Sequence, residues 1–120
     1  MKNDLITHRW NKFLKESEKY NLPIKIYIAY FVLTINGAIV DSGVVANMIR
    51  SIPNVTTVSK DTIGDERKDF FKALYNIKFV LEPHEDINTY VVKVLKRGIH
   101  QINGVIINSF RGIDYIDQGK

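Results

Sequence analysis

The chain of 120 residues contains no cysteine, so it has no disulfide framework, no thiol nucleophile and no thiolate metal site. Long apolar runs are lacking too. The most hydrophobic stretch, residues 26–35, is far shorter than the roughly 20 residues that a membrane-spanning helix needs. Residues 1–18 lack the apolar core and small-residue cleavage site of a secretory signal. The lack of cysteine is compatible with a reducing compartment, and these absences together favour the cell interior and a chain without a membrane segment.

Patterns that carry catalytic chemistry are equally scarce. The glycines are isolated, with no P-loop, nucleophile elbow or dinucleotide-binding pattern. The three histidines, His8, His84 and His100, are scattered along the chain. The one local cluster, His84 with Glu85 and Asp86, is explained by a helix start without a metal. We therefore predict a non-enzymatic protein with no catalytic residue, cofactor or metal site.

The composition is that of one ordinary globular domain, with 45% hydrophobic and 25% charged residues. The formal net charge is +4 at pH 7. A positive charge of this size would attract nucleic acid or an acidic partner surface.

Hydrophobic periodicity predicts four strands and two helices after an amphipathic N-terminal helix. The strands are predicted over residues 24–35, 55–63, 70–82 and 105–110. The first core helix begins at Asp41-Ser42 and stops before Pro53, and the second begins near Asp86 and ends at Asn103-Gly104. The stripe predicted to pack the first helix on the sheet consists of Val44, Val45, Met48, Ile49 and Ile52.

Residues 49–59 and 99–109 form an internal repeat. The two segments share the same hydrophobic pattern, helix stop and strand start. Two such corners joined by a hairpin predict an α+β fold of the ferredoxin-like, split β-α-β type (β-α-β-β-α-β), with two helices on one face of an antiparallel sheet. The predicted division is an N-terminal helix and linker (1–21), the ferredoxin-like domain (22–112) and a C-terminal tail (113–120).

A basic ridge on the second helix is the main candidate contact surface. Lys93, Lys96, Arg97 and His100 fall within about a quarter of the circumference at 100° per residue. Such a ridge suits a phosphate or acidic-partner contact. The same pattern also fits the solvated outer face of an ordinary amphipathic helix.

Strand aromatics offer a second nucleic-acid hypothesis. Tyr27, Tyr75 and Phe79 are candidates for stacking on bases, as in ferredoxin-like RNA-binding modules. The aromatic-glycine signature of those modules is absent around residues 70–75, which favours core packing for these side chains instead.

Two short segments carry a family resemblance. Residues 7–16 contain Trp10-x-x-Phe13-Leu14-x-Glu16, which resembles the opening of structural proteins of contractile-tailed phages, especially those of marine cyanobacteria. Residues 50–58 read Arg-x-Ile-x-x-Val-Thr-x-Val, which resembles a segment of small ferredoxin-like phage proteins. The resemblance implies a virion structural or assembly component that contacts itself or other virion proteins, in the virion and in the host cytoplasm during assembly.

The resemblance also implies a processing site. The prohead protease of such phages cuts after Leu/Ile-x-Glu, a pattern that Leu14-Lys15-Glu16 fits, although Ser17 follows where Ala or Gly is usual. Residues 1–16 would then be removed. The alternative is a helix that docks Trp10 and Phe13 on the domain or on a neighbour. Two other functions stay open: a nucleic-acid-binding module that uses the basic helix face, and a small-ligand sensor or enzyme subunit.

Overall fold

The computed structural model of the protein describes residues 25–62, 64 and 69–116. Strand β1 (Lys25–Asn36) is followed by helix α1 (Ser42–Arg50) and strand β2 (Val55–Thr62). Strand β3 (Phe70–Leu81), helix α2 (residues 87–100) and strand β4 (Val105–Ile116) complete the described chain. Neither helix in this part of the chain is long and apolar enough to cross a membrane. The predicted N-terminal helix and linker lie outside the described residues.

The strands form an antiparallel sheet in the order β2-β3-β1-β4. The central strands pair along their whole length, from Lys25 opposite Leu81 to Asn36 opposite Phe70. Helix α1 connects β1 to β2, and helix α2 connects β3 to β4. This α+β arrangement is compatible with the predicted ferredoxin-like fold.

Both helices pack on one face of the sheet, here called the helix-packed face. Successive strand residues point to opposite faces, so alternate residues of the central strands line it. Those with no exposed surface include Phe31, Leu33, Ile35, Tyr75, Ile77 and Phe79. They form one cluster with Val45 and Ile49 of α1 and Leu95 and Ile99 of α2. Each fully buried side chain of this kind stabilises the fold by about 1.5–3 kcal/mol.

The opposite side of the sheet, here called the open face, is lined by the intervening residues. They include Ile26, Ile28, Tyr30 and Val32 of β1 and Leu74, Asn76, Lys78 and Val80 of β3. None of the described helices packs on this side, because their buried apolar residues all belong to the cluster on the helix-packed face.

The sequence repeat appears as two equivalent helix-to-strand corners. The backbone amide of Ile52 donates to the carbonyl of the isoleucine three residues earlier at 3.0 Å, and that of Ile102 does so at 3.1 Å. Each corner then has one residue in the left-handed region, Asn54 at φ 75° and Gly104 at φ 89°. The predicted equivalence of the corners is therefore confirmed.

Aspartate side chains cap both helices where the sequence predicts their starts. Asp41 accepts a hydrogen bond from the backbone N–H of Val44 at 2.9 Å. Asp86 accepts one from the backbone N–H of Thr89 at 2.9 Å and a second from the Thr89 hydroxyl at 3.0 Å. These bonds, the backbone one foremost, hold the pKa of Asp86 below its usual value.

Strand β4 is longer than predicted. The sequence suggests a strand that ends at residue 110 and a tail from residue 113, but the strand pairs with β1 as far as Ile116, opposite Ile26. Two register shifts leave Asn108 and Arg111 as extra residues, and Gly112 takes φ 125°. These bulges interrupt the alternation that marks a strand, which is why the sequence pattern ends too early.

Candidate partner-binding groove

A solvent-accessible groove runs between helices α1 and α2. Its volume is about 370 Å³. Helix α1 and the corner after it contribute Met48, Ser51, Ile52 and Pro53. Helix α2 contributes Lys93, Val94, Arg97, Gly98 and Gln101. The groove therefore combines an apolar lining with two cations.

The helices approach closely because Gly98 has no side chain. A Cβ atom at that position would lie 2.7 Å from Cδ1 and 2.8 Å from Cγ1 of Ile52. These separations are well inside the contact distance of about 3.5–4.0 Å between carbon atoms. Ile52, which is only 8% exposed, thus packs on the backbone of α2 and closes the bottom of the groove.

A hydrogen bond fixes the start of α2 against the end of α1. The Tyr90 hydroxyl donates to the carbonyl of Pro53 at 2.5 Å. Burial, followed by the charge of Glu85, raises the pKa of Tyr90 above its ordinary value, so the hydroxyl keeps its proton and remains a donor. Tyr90 also stacks on Phe79, with ring centroids 4.7 Å apart. One wall of the groove is thereby held to the sheet.

The exposed apolar side chains of α1 are a correction to the sequence analysis. The predicted packing stripe had five members, of which Val45, Ile49 and Ile52 are buried. Val44 and Met48, however, are 38% and 46% exposed. They are one turn apart and lie on the outer side of the helix, because a stripe that contains adjacent pairs is wider than the surface that the sheet can cover.

The four residues of the predicted basic ridge have three different surroundings. Lys93 and Arg97 line the groove. The Lys96 ammonium lies over the Phe110 ring of β4, 4.9 Å from its centroid. His100 is exposed on the last turn and is not part of the groove lining. The structure thus brings two of the four residues together in a concave site.

Helix α2 is irregular at the level of these residues. It begins as an α-helix (Ile87–Tyr90), continues as a π-helix (Val91–Lys96) and ends as an α-helix (Arg97–His100). Short π segments occur frequently at functional sites. No residue pattern in the sequence signals the change, since all these residues are ordinary helix residues.

The strand aromatics lie on the helix-packed face rather than on an accessible platform. Tyr75 and Phe79 have no exposed surface. Tyr27 stacks on Phe79, with centroids 5.6 Å apart, and contacts Tyr115 at 5.3 Å. The Tyr75 hydroxyl donates to the carbonyl of Ser42 at 2.8 Å. Core packing is therefore confirmed for Tyr75 and Phe79, and the hypothesis that these two rings stack on bases is wrong.

Other candidate residues contribute little to a site. The His84 imidazole lies 3.4 Å from a Glu82 carboxylate oxygen, and its side chain is 79% exposed. In the described part of the chain, no three His, Asp or Glu side chains are placed to hold a metal ion. The candidate docking residues Trp10 and Phe13 and the candidate processing residues Leu14 and Glu16 lie outside the described residues.

One polar contact involves Asp114, which the sequence predicts to lie in the C-terminal tail. The Tyr30 hydroxyl donates to the Asp114 carboxylate at 2.7 Å on the open face. This hydrogen bond is the main cause that raises the pKa of Tyr30 above its ordinary value. The contact depends on the extension of β4 past its second bulge, which the sequence pattern does not show.

No protein-family model matches the chain, and neither a curated protein nor a solved structure matches it.

Proposed function

We propose that this protein is a non-enzymatic structural or assembly component with a ferredoxin-like fold, which acts through protein-protein contacts made by the helix groove. The partner that fits the groove is an acidic protein segment with an apolar anchor. The observation that carries this proposal is the position of Met48, which is 46% exposed and lines the same groove as Lys93 and Arg97.

The apolar part of the surface suits a protein partner. Val44 and Met48 are exposed one turn apart on α1, and the groove beside them continues over Val94. Methionine is flexible and polarisable, so it adapts to the side chain that it meets. Methionine and arginine are both enriched at protein interfaces. A partner that covers this strip would remove exposed apolar surface from water.

The charged part of the surface selects an acidic partner. Lys93 and Arg97 lie one turn apart on the α2 side of the groove. An arginine can bind a carboxylate through two parallel hydrogen bonds. The formal net charge of +4 adds a general attraction for acidic segments.

The biological setting proposed for this contact is a phage virion. Its support is the resemblance of residues 7–16 and 50–58 to segments of phage structural proteins. In that setting the partners are other virion proteins or further copies of this chain, in the virion and in the host cytoplasm during assembly.

A peptide selection tests the proposal. A random peptide library displayed on yeast would be selected on the wild-type protein and depleted on the Met48→Glu variant. We expect the retained peptides to combine Asp or Glu with an apolar residue, and to lose binding to Arg97→Glu. Arg111→Glu is the matched control, because it makes the same change of charge at an exposed bulge of β4 and should retain binding. Peptides without acidic residues, or equal binding to Met48→Glu, would contradict the proposal.

The nucleic-acid alternative is favoured by the exposure of Lys93, Arg97 and His100 along one helix. Lys96→Glu separates the two functions. Lys96 is not part of the groove lining, so the substitution should leave peptide binding unchanged. A backbone-phosphate contact uses all nearby cations and weakens steeply with salt. Binding of a short DNA duplex that falls in Lys96→Glu and in high salt would support the alternative, and indifference to DNA would exclude it.

A further inference from the structure

Two asparagine-glycine pairs have the same local sequence but different structural surroundings. Residues 35–37 and 102–104 both read Ile-Asn-Gly. An asparagine followed by glycine deamidates spontaneously more readily than other asparagines, because glycine has no side chain to keep its backbone nitrogen away from the side-chain amide. The local sequence therefore predicts similar reactivity for Asn36 and Asn103.

Hydrogen bonds hold the peptide group between Asn36 and Gly37. The Gly37 N–H donates to the carbonyl of Asp69 at 2.6 Å. The Asn36 carbonyl accepts from two backbone N–H groups of the turn that follows, at 2.9 Å and 3.1 Å. The Asn36 side chain is held as well, since its oxygen accepts from the Ala38 N–H at 3.1 Å. The Gly37 nitrogen therefore cannot turn toward the Asn36 side-chain amide unless these bonds open.

The peptide group between Asn103 and Gly104 has no such restraint. Within the described part of the chain, neither its carbonyl oxygen nor its N–H makes a hydrogen bond, and the Asn103 side chain makes none either. The Gly104 carbonyl accepts from the Asn36 N–H at 2.8 Å, but it belongs to the following peptide group. Asn103 is exposed in the turn after helix α2, so water reaches its side-chain amide.

We propose that Asn103 is a site of spontaneous deamidation in the folded protein, whereas Asn36 is protected. The Gly104 nitrogen attacks Cγ of Asn103 and gives up its proton. The bond from Cγ to Nδ2 breaks, and ammonia leaves with that proton. Water then opens the resulting succinimide ring at either of its carbonyl carbons, which yields an aspartate or an isoaspartate. The reaction needs no reactant other than water.

Both products change the corner after α2. A carboxylate at position 103 brings negative charge close to the C-terminal end of a helix, where the helix dipole disfavours it. An isoaspartate also adds a carbon atom to the main chain, which displaces the Gly104 carbonyl from the Asn36 N–H that donates to it. Deamidation therefore alters the point at which β4 begins to pair with the end of β1.

Peptide mapping of the incubated full-length protein tests the proposal. The protein would be kept in mildly alkaline buffer below its unfolding temperature, digested with trypsin at intervals and analysed by tandem mass spectrometry. The fragments distinguish Asn103 from Asn108, which lies on the same tryptic peptide, residues 98–111. We expect conversion at Asn103 to be at least roughly tenfold faster than at Asn36, since local opening that costs about 1.4 kcal/mol already gives a factor of ten.

The unfolded protein and one variant are the controls. In guanidinium chloride, Asn36 and Asn103 should react at similar rates, because their local sequences match. Asn103→Gln keeps an amide at this exposed position but closes a ring far less readily, so it should remove most of the mass gain of peptide 98–111. Equal rates at the two asparagines in the folded protein would overturn the proposal. So would the absence of conversion at Asn103 while the unfolded protein reacts, or an undiminished mass gain in Asn103→Gln.

Discussion

The substitution Gly98→Ala tests whether the contact between the helices is as close as the groove requires. Replacing glycine by alanine inside a helix normally stabilises it by about 0.8–1.0 kcal/mol. Here the new methyl group would lie 2.7 Å and 2.8 Å from two carbon atoms of Ile52. Overpacking of this kind costs about 1–3 kcal/mol. The two effects oppose each other, and we expect a net loss of stability of about 1 kcal/mol, or about 4 °C in Tm.

Urea and thermal unfolding followed by circular dichroism measure this loss. Gly43→Ala in α1 is the control, because its Cβ would have 3.3 Å to the nearest atom, an Asp41 carboxylate oxygen, and would not enter the helix contact. In an Ile52→Ala background the clash disappears, so Gly98→Ala should become stabilising. A gain of about 1 kcal/mol from Gly98→Ala in the otherwise wild-type chain would refute the reasoning, because helix propensity would then act alone.

Three further substitutions test the elements around the groove. Folding lowers the pKa of Asp86, so the stability that its carboxylate contributes is present above the unfolded pKa and is lost as pH falls through the folded pKa. In a pH series of urea midpoints, Asp86→Asn should therefore lose less stability than the wild type on the acid side. Gly104→Ala should cost more than Gly112→Ala in urea unfolding, because only the first adds close contacts, as near as 3.0 Å, to its positive φ. Tyr75→Phe removes the hydrogen bond to the Ser42 carbonyl, and we expect the free energy of unfolding, measured with urea, to fall by about 0.5–1.5 kcal/mol.

The fold was predictable from the sequence where local signals agree with burial. The two corners have the same pattern, and Asp41 and Asp86 are caps followed by apolar periodicity. Those signals depend on a few neighbouring residues, so they can be recognised without knowledge of the rest of the fold. The end of β4 was not predictable, because bulges at Asn108 and Arg111 shift the register, and only pairing with β1 shows that the strand continues.

The groove was predictable only in part. The spacing of Lys93 and Arg97 places them on one side of a helix, but no spacing reveals which neighbouring helix faces them. Met48 belongs to an apolar stripe in the sequence, but this stripe is wider than the surface that the sheet covers, so Met48 stays 46% exposed. The close approach at Gly98 depends on Ile52, which is 46 residues earlier in the chain, and no local pattern links the two.

The groove and the open face of the sheet lie on opposite sides of the core, so the effects of substitutions in the groove can be kept apart from those on the open face. The groove belongs to the outer surface of the helix layer, whereas Val32 and Val80 belong to the far side of the sheet. Substitutions more than about 7–10 Å apart without shared partners have additive effects. Met48→Glu should therefore abolish peptide binding and leave the contacts of the open face, such as the hydrogen bond between Tyr30 and Asp114, unchanged.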